Sequence, residues 1–242
     1  MLAAAFETST RTPSVALRAG DLLLETRLSG ERPHASDLLP ALDELLGRAG
    51  ARARDVELLV VGTGPGSFTG LRVAAATAYG LARATGAGLF GIPSGEILCR
   101  QELAPGEEAL VVLDIRQGHF SCAHYRRAAE EVEVLVAPHA AGWDDWTALA
   151  RRADASCRAS GTRLRFFGES ALVARTDSHA EPPGRLPEEW RGRLECDRVP
   201  SAAVAIELAL LRRARGIVHG PREIEPLYLR SFAAKRSTRV GG

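Results

Sequence analysis

Lysine is almost missing from this chain. Lys235 is the only one in 242 residues, so the basic side chains, 31 Lys and Arg together, are nearly all arginine. Acids balance them to a formal net charge of +1. We read this as compositional bias, and it supplies no sequence-wide positive field for nucleic acid. No apolar run is long enough to span a bilayer. The N-terminus, MLAAAFETST, lacks a basic segment ahead of an apolar core and soon meets Glu7 and Arg11, so it does not read as a secretory signal. The expected location is the cytoplasm. Cys99, Cys122, Cys157 and Cys196 are widely spaced with no CxxC pair, and free thiols are expected. The six histidines include no HExxH or HxxH pair. His119 and His124 would face opposite ways on one strand, where side chains alternate. No metal site is expected.

What is present is an alternation of strands and helices, in a chain long enough for one large domain or two of roughly 100–150 residues. MLAAAFETS, SVALRAG and DLLLETRLSG read as three strands. SDLLPALDELLGRAG reads as a helix, with Ser36 as candidate cap, Leu38, Leu42, Leu45 and Leu46 on one face, and Gly47 or Gly50 at its end. VELLVVGTG reads as a buried strand, and 69–85 as a second helix closed by Gly86 or Gly88. EALVVLDIRQGHFSCAHYRR reads as a new strand pair. DDWTALARRA reads as a short helix and RLRFFGESALVA as a strand and turn. Residues from about 175 to 200, rich in Pro, Gly and charge, read as loop. SAAVAIELALLRRARG reads as a helix capped by Ser201 and stopped by Gly216. EIEPLYLRSF reads as a short extended piece, and the tail beyond Phe232 reads as frayed.

The glycine-rich stretch VVGTGPGSFTGLRVAAATAYGLA, 60–82, has the layout of a phosphate loop but not its chemistry. A P-loop needs GK[ST], and here Gly70 is followed by Leu71 and Arg72. The dinucleotide fingerprint GxGxxG starts with Gly64 and Gly66 but meets Thr69 at its third position. It also needs an acid about 20 residues on, and there is no Asp or Glu between Glu57 and Glu96. The supported reading is structural: Gly64 and Gly66 make a sharp turn, Pro65 stiffens it, and Ser67 or Thr69 caps the helix. Arg72 resists that account, because a cation in a first turn opposes the helix dipole. It must pair with a carboxylate or meet a partner. Small residues, Ala74, Ala75, Ala76, Ala78, Gly80 and Ala82, surround this helix, which suggests packing on two sides.

Two segments resemble each other. Glu7 ends an apolar strand and Ser14 opens the next; Asp114 and Ser121 repeat the arrangement at the same spacing of seven residues. Coincidence between ordinary hairpins and a duplicated domain both produce this. The second has a precedent in the actin-like ATPase superfamily, where two such hairpins face a cleft and hold the phosphates and metal of ATP. The order of elements here resembles that architecture.

The nonapeptide GPGSFTGLR, Gly64, Pro65, Gly66, Ser67, Phe68, Thr69, Gly70, Leu71 and Arg72, closely resembles the signature of the bacterial TsaB (YeaZ) family of tRNA threonylcarbamoyladenosine biosynthesis proteins. LAAAFETSTRTPSVAL resembles that family's first hairpin, HASDLLPALDELL its first helix, LDIRQGHFSCAHY its second hairpin and EPLYLR its C-terminal element. The resemblance covers nearly the whole chain. It implies a two-lobed α/β fold, actin-like (ribonuclease H-like) and duplicated. Residues 1–104 would form a first lobe, rejoined by about 201–232, with 105–200 as a second, smaller lobe. It further implies a non-catalytic scaffold that pairs with the catalytic relative TsaD and, with the ATPase TsaE, supports threonylcarbamoyl transfer to the adenosine next to the anticodon of tRNA. ATP and metal would sit on those partners, with nucleotide at a subunit interface left open. A homodimer is the alternative assembly, and tRNA would be met through the complex. Ala76 and Ala78 are the expected interface probes, about 200° apart at roughly 100° per residue.

Two departures stand out. The family's usual Asp in the first hairpin is Glu7, followed by Thr8 and Ser9. In the second hairpin, Asp114-Ile115-Arg116 replaces the usual DAR, with Phe120 as the aromatic. The histidine ligands of the catalytic relative are absent from GLFGIPSGEILCRQEL. A degenerate cleft is expected, and a small-molecule kinase or glycoprotease-type enzyme of the same superfamily is the alternative.

Overall fold

A computed structural model describes residues 1–28, 37–116, 119–169, 188–196 and 198–229. The first sheet contains β1 (Leu2–Glu7), β2 (Ser14–Ala19), β3 (Leu22–Arg27), β4 (Leu58–Gly62) and β5 (Gly88–Ile92), in the order β3-β2-β1-β4-β5. β1, β2 and β3 form an antiparallel meander, and β4 and β5 add in parallel on the other side of β1. The second sheet repeats the path with β6 (Glu108–Arg116), β7 (His119–Arg127), β8 (Val132–Ala141), β9 (Leu164–Gly168) and β10 (Leu194–Cys196). Its order, read from the matching edge, is β8-β7-β6-β9-β10, with the same parallel and antiparallel pairings. The duplicated two-lobed fold expected from the hairpins is therefore present.

The central strands are apolar on both faces, as buried strands covered on two sides must be. In β1, side chains alternate. Leu2, Ala4 and Phe6 pack with α1 (Leu38–Arg48) and α2 (Phe68–Thr85), whereas Ala3 and Ala5 pack with α6 (Ala202–Ala214) on the other face. α6 starts after Ser201, whose hydroxyl accepts from the Val204 N–H, and Gly216 follows its end with φ of +83°. In α1 the leucine stripe faces the sheet as expected. Its candidate cap Ser36 lies outside the described residues.

The second sheet is covered by α4 (Trp143–Ser160) on one face, with the short α5 (Glu188–Arg191) beside it. α4 runs 18 residues, much longer than the sequence pattern suggested, because Trp143, Trp146, Leu149, Ala150, Ala153 and Cys157 continue one buried stripe. On the other face lies α3 (Ser94–Glu102), which the sequence reading passed over. Ile97 joins the core of the first sheet, while Leu98, Cys99 and Leu103 join that of the second, so α3 is wedged between the lobes. Arg212 of α6 pairs with Glu96 of α3 and with Glu131 of the β7–β8 turn, and Arg215 pairs with Glu130 and Glu131. These pairs tie the lobes together beside α3.

After α6 the chain returns across the first lobe as a strap. His219 bridges to Leu89 at the edge of β5, and the Leu227 N–H donates to the Thr63 carbonyl at 2.9 Å. Of the piece expected to be extended, 223–232, the described part to 229 forms no strand and begins inside a turn at 221–224. The four cysteines are free thiols.

Candidate functional site

The glycine loop joins β4 to α2. Gly64 takes a positive φ of +87° at the turn, and Pro65 follows it through a cis bond. Ser67 caps α2, its hydroxyl accepting from the Gly70 N–H. The loop is packed against the turn that follows β1. A Cβ on Gly66 would stand 2.2 Å from the Ser9 carbonyl oxygen, and one on Gly70 would stand 2.4 Å from that of Thr8. Glycine is needed here for the approach of two backbones. A phosphate cradle needs backbone N–H groups left free for the ligand. Here the Ser67 N–H donates to Ser9 O at 2.7 Å, the Gly64 N–H to Ser94 Oγ at 3.1 Å, and the Gly70 N–H to Ser67 Oγ. These three N–H groups are thus taken up by the chain itself rather than offered to a phosphate.

Glu7 braces the loop. Phe6 pairs with Val61 across β1 and β4, which places Glu7 next to Gly62. Its carboxylate lies over Gly62, where a Cβ would stand 1.8 Å from Oε2. Oε1 accepts the Ser9 N–H at 2.7 Å and Oε2 accepts the Ser94 hydroxyl at 2.9 Å. Burial raises the pKa of this acid, and the hydrogen bonds from Ser9 and Ser94 oppose the rise. Thr8 and Ser9 are buried with it. The extra methylene relative to aspartate therefore finds an internal partner, Ser94, which the sequence reading missed. Its signal was the Pro93-Ser94 pair at a strand end, a helix-start pattern.

The second hairpin is built differently. Glu7 pairs directly with Ser14, but Asp114 pairs with Phe120 and Ser121 with Leu113, one residue out of step. The equal spacing in sequence is therefore not an equal register; the ladder is irregular between Asp114 and Arg116. Asp114 is buried at the end of β6, and its N–H donates to Glu169 Oε1 at 2.8 Å. Arg116 closes β6; its side chain lies outside the described residues. Among the described residues, no group of three His, Cys, Asp or Glu side chains is placed to hold a metal ion. No described helix is long and apolar enough to cross a membrane.

α2 buries only Leu71, Ala74 and Ala78. Its outer face, Thr69, Arg72, Ala76, Tyr79, Gly80 and Arg83, is exposed, so the helix is packed on one side within this chain. Ala78 faces the sheet and Ala76 faces out. Arg72 stands over the Phe68 ring, 5.0 Å from its centroid, and Phe68 meets Tyr228 of the strap at 5.4 Å. A cation on an aromatic face is a modest attraction of about 0.5–1 kcal/mol when exposed. Among the described residues, this stacking rather than a carboxylate is what Arg72 finds.

Comparison with known proteins agrees with this geometry. The family model described as TsaD, tRNA N6-adenosine threonylcarbamoyltransferase, matches residues 28–162, more than half of the chain. The TsaB protein of Escherichia coli is 26% identical over 214 residues, covering 74% of this chain and 91% of that protein. The TsaB protein of Haemophilus influenzae is 37% identical over 116 residues, 46% of this chain and 48% of that relative, so the match spans about half its length. The chain belongs to the TsaB/YeaZ family. The structure of YeaZ from Pseudomonas aeruginosa superposes with a TM-score of 0.69 at 24% identity, covering 94% of this chain and 99% of that one. It shares the fold. Within the TsaB/YeaZ family frame, the signature 64–72 is a packing device at its glycines and an exposed surface at Thr69 and Arg72.

Proposed function

We propose that this chain is a non-catalytic scaffold that binds and activates a TsaD-type catalytic subunit. Together with a TsaE-type ATPase, in the cytoplasm, the pair would transfer a threonylcarbamoyl group to the adenosine beside the anticodon of tRNA. The observation that carries this reading is the contrast along 62–83. The loop that would serve chemistry spends N–H groups on its own chain, while the helix it starts leaves exposed a face on which Ala76 and Gly80 lie among Arg72, Tyr79 and Arg83, open to a partner. Glu7, Thr8, Ser9, Asp114 and Arg116 are then remnants of cleft hairpins, and ATP and metal belong to the partners. The same reading divides the chain into a lobe of 1–104 rejoined by about 201–232, and a lobe of 105–200; the packing of α6 on Ala3 and Ala5 supports the return.

Ala76→Arg and Ala78→Arg test it. Ala78 is buried, and an unpaired charge there costs several kcal/mol against a total stability of about 5–15 kcal/mol, so that variant is expected to unfold. Ala76→Arg is expected to melt like the parent and to lose association with the TsaD-type partner. Thermal melting beside light scattering, alone and with the partner, reads both. If Ala76→Arg still binds the partner at parental affinity, α2 is not the docking helix and the proposal loses its support.

A further inference from the structure

Glu7 faces no solvent and touches no exposed surface. Its two oxygens nevertheless hold two separate segments and, through Ser94, a third. Oε1 holds the turn after β1 through the Ser9 N–H. Oε2 holds the Ser94 hydroxyl at the start of α3. Ser94 in turn exchanges two hydrogen bonds with Gly64: its N–H donates to Gly64 O at 2.8 Å, and its hydroxyl accepts the Gly64 N–H. The turn held by Glu7 then presents the Ser9 carbonyl to the Ser67 N–H and lies on Gly66 and Gly70. Those residues set where α2 begins and how it leaves the sheet. Only glycine at position 62 leaves room for the carboxylate to cross β4. Aspartate at position 7 would fall a methylene short of Ser94.

We propose that Glu7 and Gly62 are a matched pair, and that Glu7 is the positioning residue for the docking helix. Its carboxylate locks the β1–β2 turn, the glycine loop and the start of α3 into one unit, and so fixes the placement of α2. The claim about docking rests on the reading that the outer face of α2 meets the partner; the claim about the pair does not.

The experiment is a cycle of Glu7→Asp, Gly62→Ala and the double variant, with Glu7→Gln as the length-preserving control. Gly62→Ala alone drives a methyl into the carboxylate and is expected to lower the melting temperature most. The double variant is expected to melt above Gly62→Ala, because the shorter acid vacates the space. If the two losses simply add, the pair is not matched. Amide exchange at Ser67 is expected to quicken about tenfold or more in Glu7→Asp while β9 amides stay unchanged, a local rather than global opening. Affinity for the TsaD-type partner is expected to fall about tenfold, about 1.4 kcal/mol, and to be partly kept in Glu7→Gln, which retains the reach and one acceptor. Should Glu7→Asp fail to fold, Glu7→Gln carries the exchange and affinity measurements, with loss of the Ser94 link as the expected change. Unchanged Ser67 exchange and unchanged partner affinity overturn the positioning role. If Ala76→Arg abolishes binding while Glu7→Asp leaves it intact, docking on α2 stands and this role falls. If Ala76→Arg has no effect, docking falls and the melting cycle still decides the matched pair.

Discussion

The path β3-β2-β1-β4-β5 of the first lobe recurs as β8-β7-β6-β9-β10 in the second, but the two copies are filled by different mixtures of side chains. Beside its leucines and Phe6 and Phe90, the first packs many alanines: Ala3, Ala4, Ala5, Ala16, Ala74, Ala78, Ala202, Ala205 and Ala209 are all buried. The second holds all three tryptophans, with Phe120 and Phe166 among them. Trp146 is fully buried and meets the rings of Trp143, Phe166 and Trp190 at 5.6, 5.8 and 5.8 Å. Large rings bury 150–250 Å² each and give a core that tolerates distance between backbones. Alanine gives little area but lets helices and turns come close. One topology thus supports two strategies. The lobe with the glycine loop and the open helix face depends on close backbone approach; the other depends on aromatic burial.

The largest expected effect tests the aromatic side of that contrast. Trp146→Ala should cost about 3–5 kcal/mol, read by denaturant unfolding. A loss under about 1 kcal/mol would mean that the ring cluster is not what stabilises the second lobe.

A smaller effect tests the backbone side. Gly70→Ala sets a methyl 2.4 Å from the Thr8 carbonyl, which belongs to the main chain and yields little. Gly168, which ends β9 in the second lobe, would place its Cβ 3.1 Å from the Leu194 methyls, which can turn away. Gly70→Ala is expected to cost about 1–3 kcal/mol, with Gly168→Ala costing less. Gly80→Ala, with nothing within 4 Å, is expected to stabilise by about 0.5–1 kcal/mol. Equal costs at 70 and 168 would erase the distinction between the lobes.

The smallest effect concerns the strap, which the second lobe lacks among the described residues. His219 accepts the Gly91 N–H at Nδ1 and stacks on Phe90 at 3.8 Å. Burial holds its pKa below the ordinary 6.5, with Glu223 opposing. Below that value the unfolded strap binds the proton first, so its docking is full above about pH 6.5 and weakens as pH falls toward the folded pKa. The protection factor of the Gly91 amide, its exchange rate relative to that of a free chain at the same pH, should fall on acidification through that window, and His219→Phe should flatten the dependence. His124 is also held down by burial, and would make global stability fall with pH in the same direction, so the local amide is the measurement. No pH dependence at Gly91 would detach His219 from the strap.

Much of the fold was legible in the sequence because the patterns are local. Ser67 and Ser201 cap their helices as their positions suggested, and Gly86 closes α2 at φ of +81°. The acid-tipped hairpins did signal a duplication, although an irregular ladder put Asp114 one residue out of register with Glu7. What was not legible depends on contacts far apart in the chain. Ser94 lies 87 residues from Glu7, and no periodicity announces that bond. α3 divides its apolar residues between two cores, so it shows no single clean stripe. Tyr228 beside Phe68 follows from a strap whose path only the folded lobe defines. Arg72 is anomalous in the first turn of α2, but nothing local in the sequence distinguishes a ring from a carboxylate as what it meets.

The return of α6 to the first sheet has a bearing on synthesis. β1 is made first, yet Ala3 and Ala5 wait for Ala202, Ala205 and Ile206 to cover them. Residues 108–196 are contiguous, so the second sheet can close while the first still exposes a bare face. The lobe begun first is completed last. A chain ending before residue 202 would carry all the strands of the second sheet and an uncovered face on the first, and that face of β1 and β4 is where a chaperone would find it.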